Sequence, residues 1–377
     1  MKIIHMLLGK ANRESMNGIN NVVDALAFAQ HRDGQDVEVW GLTETPKIRP
    51  PSRNYRLRLF RSFRWLFYVD PALARAIADL PDDSIIHLHG AMAPQIIGAS
   101  RVMARHHVPY VITPHGALNP LLLLRKWWLR RPFLLLFDRR LFVRSRAIHA
   151  LTPAERIAIL RQVAHPRVVV IPNGQDLAAV CHNGPLPERP QRPVFGFCGR
   201  LDIKAKGLDL LLEGFARYRE SGGRGVLWFI GDGPSRSRLE RKAKKLGLVR
   251  HVRFLGVRSG NDKLTHIAAM DIFVHSSRTE GMPTAVLEAA ALSRPLIISR
   301  ETNLADFVEN AQCGLVLTQN DPAHIAEAMA FAERSYETSA LEAYGNNALE
   351  MVRDAFDWTT IGRRLCREVY AVESRSS

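Results

Sequence analysis

A chain of 377 residues with 46% hydrophobic and 24% charged side chains is long and apolar enough for two domains with cores of their own, which excludes a peptide-sized, disulfide-stapled or mainly disordered protein. The net charge of +15 is unevenly spread: residues 1–170 hold 25 basic and 12 acidic side chains, residues 171–377 hold 27 and 25, so the cationic surplus belongs to the first half. Cys181, Cys198, Cys313 and Cys366 lie far apart without metal-like spacing and read as free thiols of a reducing compartment.

The opening MKIIHMLLGK reads as a first β-strand, since its apolar run is too short and too soon followed by polar residues for a signal peptide. Further buried strands are expected at 37–42, 85–89, 110–115, 147–151 and 168–172, with helical periodicity at 18–30 and 94–105 between them. Two basic stretches interrupt this rhythm. The first runs from Arg49 through Arg53, Arg56, Arg58 and Arg61 to Arg64 without an acid. The second, 121–146, contains Arg125, Lys126, Arg130, Arg131, Arg139, Arg140, Arg144 and Arg146 against Asp138 alone, interleaved with Trp127, Trp128, Phe133, Phe137 and leucines. No stretch reaches the ~20 apolar residues of a membrane-spanning helix. The mixture of cations, aromatics and leucines at 121–146 instead suits an element lying on an anionic membrane surface.

Pro172, Pro185, Pro187, Pro190 and Pro193, with two Asn-Gly pairs, make 172–193 a poor helix or strand and the expected linker between residues 1–171 and 194–357. Beyond it, strands at 194–199, 226–231, 252–256, 272–276, 295–299 and 314–317 alternate with helices at 207–220, 236–247, 283–293 and 321–334. Such alternation, occurring twice, implies an α/β protein of two doubly wound, Rossmann-like domains, with ligands at the carboxyl ends of the strands, in a cleft between the domains.

Motifs stand where this architecture needs them. After the strand at 194–198, GRLDIKAKGLDLLLEGF sets Arg200 and Lys206 on a loop that opens a helix, two cations suited to a diphosphate. The dinucleotide GxGxxG and the Walker A loop are both missing. After the strand at 272–276, SSRTEGMPTAVLEAAALSRP puts Gly281 and Met282 in a loop and Pro283 at the expected first position of a helix whose N-terminus offers donors to an anion. Glu288 follows Thr284 by one turn within an otherwise apolar helix, where a carboxylate can accept both hydroxyls of a ribose.

Together GRLDIKAKGLDLLL, EGMPTAVLEAA, IPNG (171–174), IGDGP (230–234) and FLG (254–256) resemble glycosyltransferase family 4, retaining glycosyltransferases of GT-B fold. Glu280 and Glu288, eight positions apart, are the most specific element. In the first half, NGINNVV (17–23) is similar to the family's glycine loop and TPHGAL (113–118) to its cleft histidine, although Asn17-Gly18 stands where the family often has two glycines. The resemblance implies that Arg200 and Lys206 neutralise the donor diphosphate, that Glu288 holds the ribose, and that Glu280 and His115 touch the transferred sugar, with Gly18, Gly231, Gly256, Val257, Gly281, Met282, Pro283 and Thr284 lining the donor site. With the basic, aromatic stretch at 121–146, the expectation is a cytoplasmic enzyme, peripherally attached to the membrane, that moves a sugar from a UDP- or GDP-sugar to an envelope polysaccharide, lipopolysaccharide or lipid-linked glycan. The resemblance also implies that the helix at about 358–377 packs back on the first domain.

With no Asp-x-Asp to hold a metal, fixed cations and the helix N-terminus must stabilise the leaving group, so no metal or other cofactor is expected. His87 and His89, two apart on a strand, lack a third ligand in the nearby sequence, and His89 is read with His115 on the acceptor side. His106-His107 is read as a surface turn. A nucleic-acid-binding protein would want cations in both halves and no Glu280/Glu288 pair, so nucleic acid is not expected as a partner. A nucleotide-sugar epimerase of the same fold is the other alternative, and the basic, aromatic first half favours a large acceptor over it.

Overall fold

The computed structural model describes residues 1–10, 18–46, 53–63, 67–118, 127–177, 180, 184–189, 193–338 and 340–371. The chain divides into two compact units, Met1–Gly174 together with Trp358–Ser377, and Gln175–Asp357.

The first unit is built on seven parallel strands, β1 (Lys2–Leu8), β2 (Asp36–Thr43), β3 (Arg56–Arg61), β4 (Ser84–His89), β5 (Tyr110–Thr113), β6 (Ala147–Ala150) and β7 (Val168–Val170), in the order β3-β2-β1-β4-β5-β6-β7. Central strands read as unbroken apolar runs because both faces are covered. Ile4, Met6, Ile86, Leu88 and Ile112 face one core with Leu73, Ile77 and Ile96 of the helices Pro71–Ala78 and Pro94–Arg105. The alternate residues Ile3, Leu7, Ile85 and Val111 face the other with Val23 and Leu26 of Gly18–Arg32 and with Ile361 and Leu365 of Trp358–Leu365. The returning segment docks tightly at its start, where a Cβ on Gly174 would stand 2.5 Å from the Trp358 indole, so only glycine fits.

Three local expectations are corrected here. Half of the first basic stretch is the edge strand β3, whose cations are tied to the fold: Arg56 lies 3.6 Å from Glu38 and Arg58 sits over the Trp40 and Phe60 rings, while Arg53, before the strand, pairs with Asp24 at 3.2 Å. Charged side chains on an edge strand also discourage pairing with another chain, and Arg49 and Arg64 lie outside the described residues. The strand expected at 110–115 stops at Thr113, leaving His115 in the following turn with a positive φ of 51°. Of the second stretch, Arg125 and Lys126 lie outside the described residues. The rest forms the helix Trp127–Phe133, a π-helical turn Leu134–Asp138 and the helix Arg139–Arg144. Trp127 and Trp128 are 61% and 64% exposed, whereas Phe133 and Phe137 pack against Phe67.

The second unit repeats the plan with β8 (Val194–Cys198), β9 (Val226–Ile230), β10 (Val252–Gly256), β11 (Ile272–His275), β12 (Leu296–Ser299) and β13 (Gly314–Leu317), all parallel in the order β10-β9-β8-β11-β12-β13. One face packs Leu208, Leu211, Leu212 and Phe215 of Leu208–Glu220 with Ile325 and Met329 of Pro322–Glu337. The other packs Val286, Leu287 and Ala290 of Thr284–Ala291 with Ala348, Met351 and Val352 of Ala340–Phe356. The strand order reverses between β8 and β11, the place where open sheets of this kind bind ligands outside the carboxyl ends of their strands. Cys198, Cys313 and Cys366 are free thiols, and Cys181 lies outside the described residues. Among the described residues no helix is long and apolar enough to cross a membrane.

Candidate functional site

The loops after β8 and β11 meet at that reversal. Leaving β8, the chain passes Gly199 and the exposed Arg200 to the single turn Ile203–Lys206, capped by Asp202, whose carboxylate accepts from the Lys204 N–H at 3.0 Å. Gly207 ends that turn in the left-handed region at φ 61°, and a Cβ there would lie 2.2 Å from the Ser276 carbonyl oxygen. The close approach therefore needs glycine, and it sets Lys206 against the β11 loop.

Lys206 donates directly to Glu280, both side chains being less than a fifth exposed. His275 Nε2 and Ser277 Oγ also reach the Glu280 carboxylate at 3.4 Å. Burial alone would raise the carboxyl, but the His275 hydrogen bond and the Lys206 charge outweigh it and hold Glu280 down at about 2. Burial lowers His275, so this ring is a neutral donor beneath an ionised carboxylate. The loop is pinned from behind: Ser299 Oγ donates to the Ser277 carbonyl at 2.7 Å, Asn303 Nδ2 to those of Glu280 and Gly281 at 2.7 and 2.9 Å, and Asn320 Nδ2 to that of Ser277 at 3.0 Å. A bidentate Arg278–Asp209 pair at 2.7 and 2.9 Å fastens it to the helix Leu208–Glu220.

Pro283 is not the first helical residue, as expected, but the extended residue before it, with φ −75° and ψ 108°. Thr284–Ala291 therefore begins without a side-chain cap, its first amide N–H groups beside the Glu280 loop. One turn into that helix, Glu288 accepts from Lys263 Nζ at 2.6 Å, a partner that no sequence motif suggests. Gly231 follows β9, where a Cβ would lie 2.0 Å from the Gly199 carbonyl oxygen, drawing neighbouring strand ends together. Gly256 ends β10 at φ 75°, and the next residue, Val257, is 72% exposed. Thus Arg200, Lys206, Gly231, Gly256, Val257, Glu280, Gly281, Met282, Pro283, Thr284 and Glu288 all lie at or beyond the carboxyl ends of strands of the second unit.

Gly18, His89 and His115 belong to the first unit. Gly18 opens the helix after β1, and His89 ends β4, the strand on the other side of that sheet's reversal. His115 Nε2 lies 3.0 Å from His89 Nδ1, and burial lowers the His115 ring to about 3, so it is neutral. Glu155 steadies its turn by accepting from the Gly116 and Leu151 N–H groups at 2.6 and 2.7 Å. The sequence signal for Glu155 was Thr152-Pro153-Ala154-Glu155, a helix-start pattern in which Thr152 Oγ1 accepts from the Glu155 N–H at 3.0 Å. The strand register adds His5 beside His87, giving the third histidine that the nearby sequence lacks. Asp138 is a further buried acid, pushed up to about 7 by burial although it accepts from the Met92 N–H.

Two family profiles match this chain, Glycosyltransferase Family 4 over residues 16–179 and Glycosyl transferases group 1 over 183–351. The chain belongs to glycosyltransferase family 4. Among relatives of this family, the lipopolysaccharide core biosynthesis glycosyltransferase LpsE of Rhizobium meliloti is 29% identical over 54% of this chain and 60% of its own length. A GDP-mannose-dependent alpha-(1-6)-phosphatidylinositol monomannoside mannosyltransferase of Mycobacterium tuberculosis is 27% identical over 46% of either chain. The matched region thus spans only about half to three-fifths of these relatives. The solved structure of HepE from Anabaena in complex with UDP superimposes over 99% of this chain and 100% of that one at a TM-score of 0.72 and 17% identity. That likeness, with the two reversed-order sheets, identifies the fold as GT-B, made of two Rossmann-like domains.

Proposed function

We propose that this family 4 protein is a retaining, metal-independent hexosyltransferase that takes a sugar from a UDP- or GDP-sugar and passes it to a lipopolysaccharide, envelope polysaccharide or lipid-linked glycan. The carrying observation is the Lys206–Glu280 ion pair beside the uncapped N-terminus of Thr284–Ala291, at the reversal between β8 and β11. A departing nucleoside diphosphate gains negative charge, and Lys206, Arg200 and those amide N–H groups are fixed donors that need no reorganisation to meet it. Entry of the diphosphate recruits Lys206 away from Glu280, whose carboxylate and loop amides then face the transferred sugar. The second oxygen of Glu288 remains available for the ribose hydroxyls, and His115 is assigned to the transferred sugar on the family resemblance. The family resemblance implies retention, and with no carboxylate nucleophile proposed there, departure and attack would occur on the same face.

Relatives named for lipopolysaccharide core and phosphatidylinositol mannoside synthesis support a large envelope acceptor. Exposed Trp127, Trp128, Leu135 and Leu136 beside Arg131, Arg139 and Arg140 support peripheral attachment to an anionic leaflet on the cytoplasmic side. The test is a panel of UDP- and GDP-sugars, read for hydrolysis and, with lipid-linked acceptors, for the anomeric configuration of the product, in EDTA. Turnover of one donor with a retained anomeric centre is expected. An inverted product, or activity that returns only with added divalent metal, refutes the reading.

A further inference from the structure

Five histidines and a threonine occupy one side of the first sheet in a pattern that the transfer chemistry above does not require. His5 on β1, His87 and His89 on β4, Thr113 on β5 and His149 on β6 are buried, and His115 follows Thr113 by two residues. The parallel register sets His5 opposite His87 and His89 opposite Thr113, so the rings close up, with the His87 and His89 centroids 4.1 Å apart. Two hydrogen-bonded chains run through them. One is Gln30–His5–His89–His115, with contacts of 2.7, 2.9 and 3.0 Å. The other is Ile171–His149–Thr113–His87–Tyr370, each contact 2.7 Å.

The chemistry of the end groups fixes where every proton sits. The Ile171 carbonyl can only accept, so His149 carries its proton on Nε2 and its Nδ1 accepts from Thr113. Thr113 oxygen then accepts from His87 Nε2–H, and His87 Nδ1 accepts from the Tyr370 hydroxyl. That spends the Tyr370 proton, and a Gln30 carbonyl turned towards Tyr370 would meet lone pairs. Gln30 instead directs its Oε1 at His5, its Nε2 being buried without a hydrogen-bond partner among the described residues. Because Oε1 can only accept, His5 donates from Nε2, His89 donates from Nε2 to His5 Nδ1, and His115 donates from Nε2 to His89 Nδ1. Each ring holds one proton, in keeping with the burial that lowers all five histidines. The remaining charged neighbour, Arg364, acts in the same direction on His149.

We propose that this proton-ordered network locks His115 in the neutral Nε2–H tautomer, so that its Nδ1 lone pair accepts from a hydroxyl of a neutral sugar, with His89, His5 and Gln30 as positioning residues. His115 Nδ1 has no hydrogen-bond partner among the described residues and is the open end of the chain. A lone pair welcomes an O–H and repels a carboxylate or phosphate oxygen, so the network selects donors bearing a hydroxyl there over uronate or sugar-phosphate donors. The proposal rests on His115 meeting the transferred sugar, but the tautomer is measurable without that contact.

The experiment is two-bond nitrogen–proton NMR on the full chain labelled with nitrogen-15 histidine, with His115 assigned by the signal lost in His115→Gln. A bare Nδ1 and protonated Nε2 between about pH 5.5 and 8 are expected. A protonated Nδ1, an imidazolium, or His5 and His89 resonances that EDTA shifts by removing a bound metal would overturn the network. Gln30→Met, folded by the same spectrum, should mix the His115 tautomers and lower kcat/KM by about tenfold with little change in KM, while Gln30→Glu, still an acceptor, restores both. A Gln30→Met protein with one unchanged tautomer refutes the positioning role. Full activity in His115→Gln, with the wild-type tautomer as expected, refutes the sugar contact alone.

Discussion

Replacing Lys206 by methionine keeps its length and removes its charge from a pair in which Lys206 and Glu280 are 18% and 17% exposed. Breaking one partner out of a fully buried pair costs about 3–5 kcal/mol; with this residual exposure and the His275 and Ser277 contacts retained, we expect less, about 2–3 kcal/mol at pH 7. The loss has a pH signature. Burial pushes the Glu280 carboxyl up, and Lys206 is one of the groups holding it at about 2 against an ordinary 4.5. A depressed folded-state value contributes stability that is complete above pH 4.5 and is lost as the pH falls towards 2. The variant lacks part of that contribution, so the gap between the two proteins should be widest near neutrality and close on acidification below 4.5. Urea denaturation at a series of pH values reads the gap directly. Lys206→Met with Glu280→Gln should be more stable than Lys206→Met alone, because no charge is then left uncompensated. A gap that is absent, or constant down to the acid limit, would refute the electrostatic account of this loop.

Glu288→Ala should lower donor kcat/KM by roughly 10- to 150-fold, the worth of hydrogen bonds to a charged group of about 1.5–3 kcal/mol, and wild-type donor affinity in that variant argues against the ribose role. Gly207→Ala must place a Cβ 2.2 Å from a backbone carbonyl at a positive φ, so it should cost at least about 2 kcal/mol in urea unfolding; an unchanged midpoint would mean that the β8 and β11 loops do not meet as described. Trp127→Ser with Trp128→Ser should reduce co-sedimentation with anionic vesicles, and Arg130→Ser with Arg131→Ser should weaken its salt-sensitive part by about 1 kcal/mol per cation, both with donor hydrolysis little changed. Vesicle binding indifferent to all four substitutions would return this surface to solvent.

Two features were legible in the sequence because they are local. Strand–helix alternation prescribes a parallel sheet, since a right-handed crossover of helical length leaves few other ways to bury both faces, and the motifs after the strands at 194–198 and 272–276 fall where such a sheet exposes loop and helix ends. Arg56, Leu57, Arg58, Leu59 and Phe60 escaped recognition as a strand because their charges advertise a surface, and an edge strand satisfies both descriptions. Tertiary structure alone decided which charges meet: Lys206 finds Glu280 across 74 positions because the neighbouring strands β8 and β11 bring their following loops together, and Glu288 finds Lys263 across 25 because the helices that carry them pack side by side. It likewise decided the fate of the histidines. His87 and His89 show their shared face by a spacing of two, but only the strand register adds His5 and His149, and only the returning helix brings Tyr370 from 283 positions away to His87. A period can be read along a chain, whereas a hydrogen bond between distant side chains exists only after packing has removed the water that would otherwise compete for it.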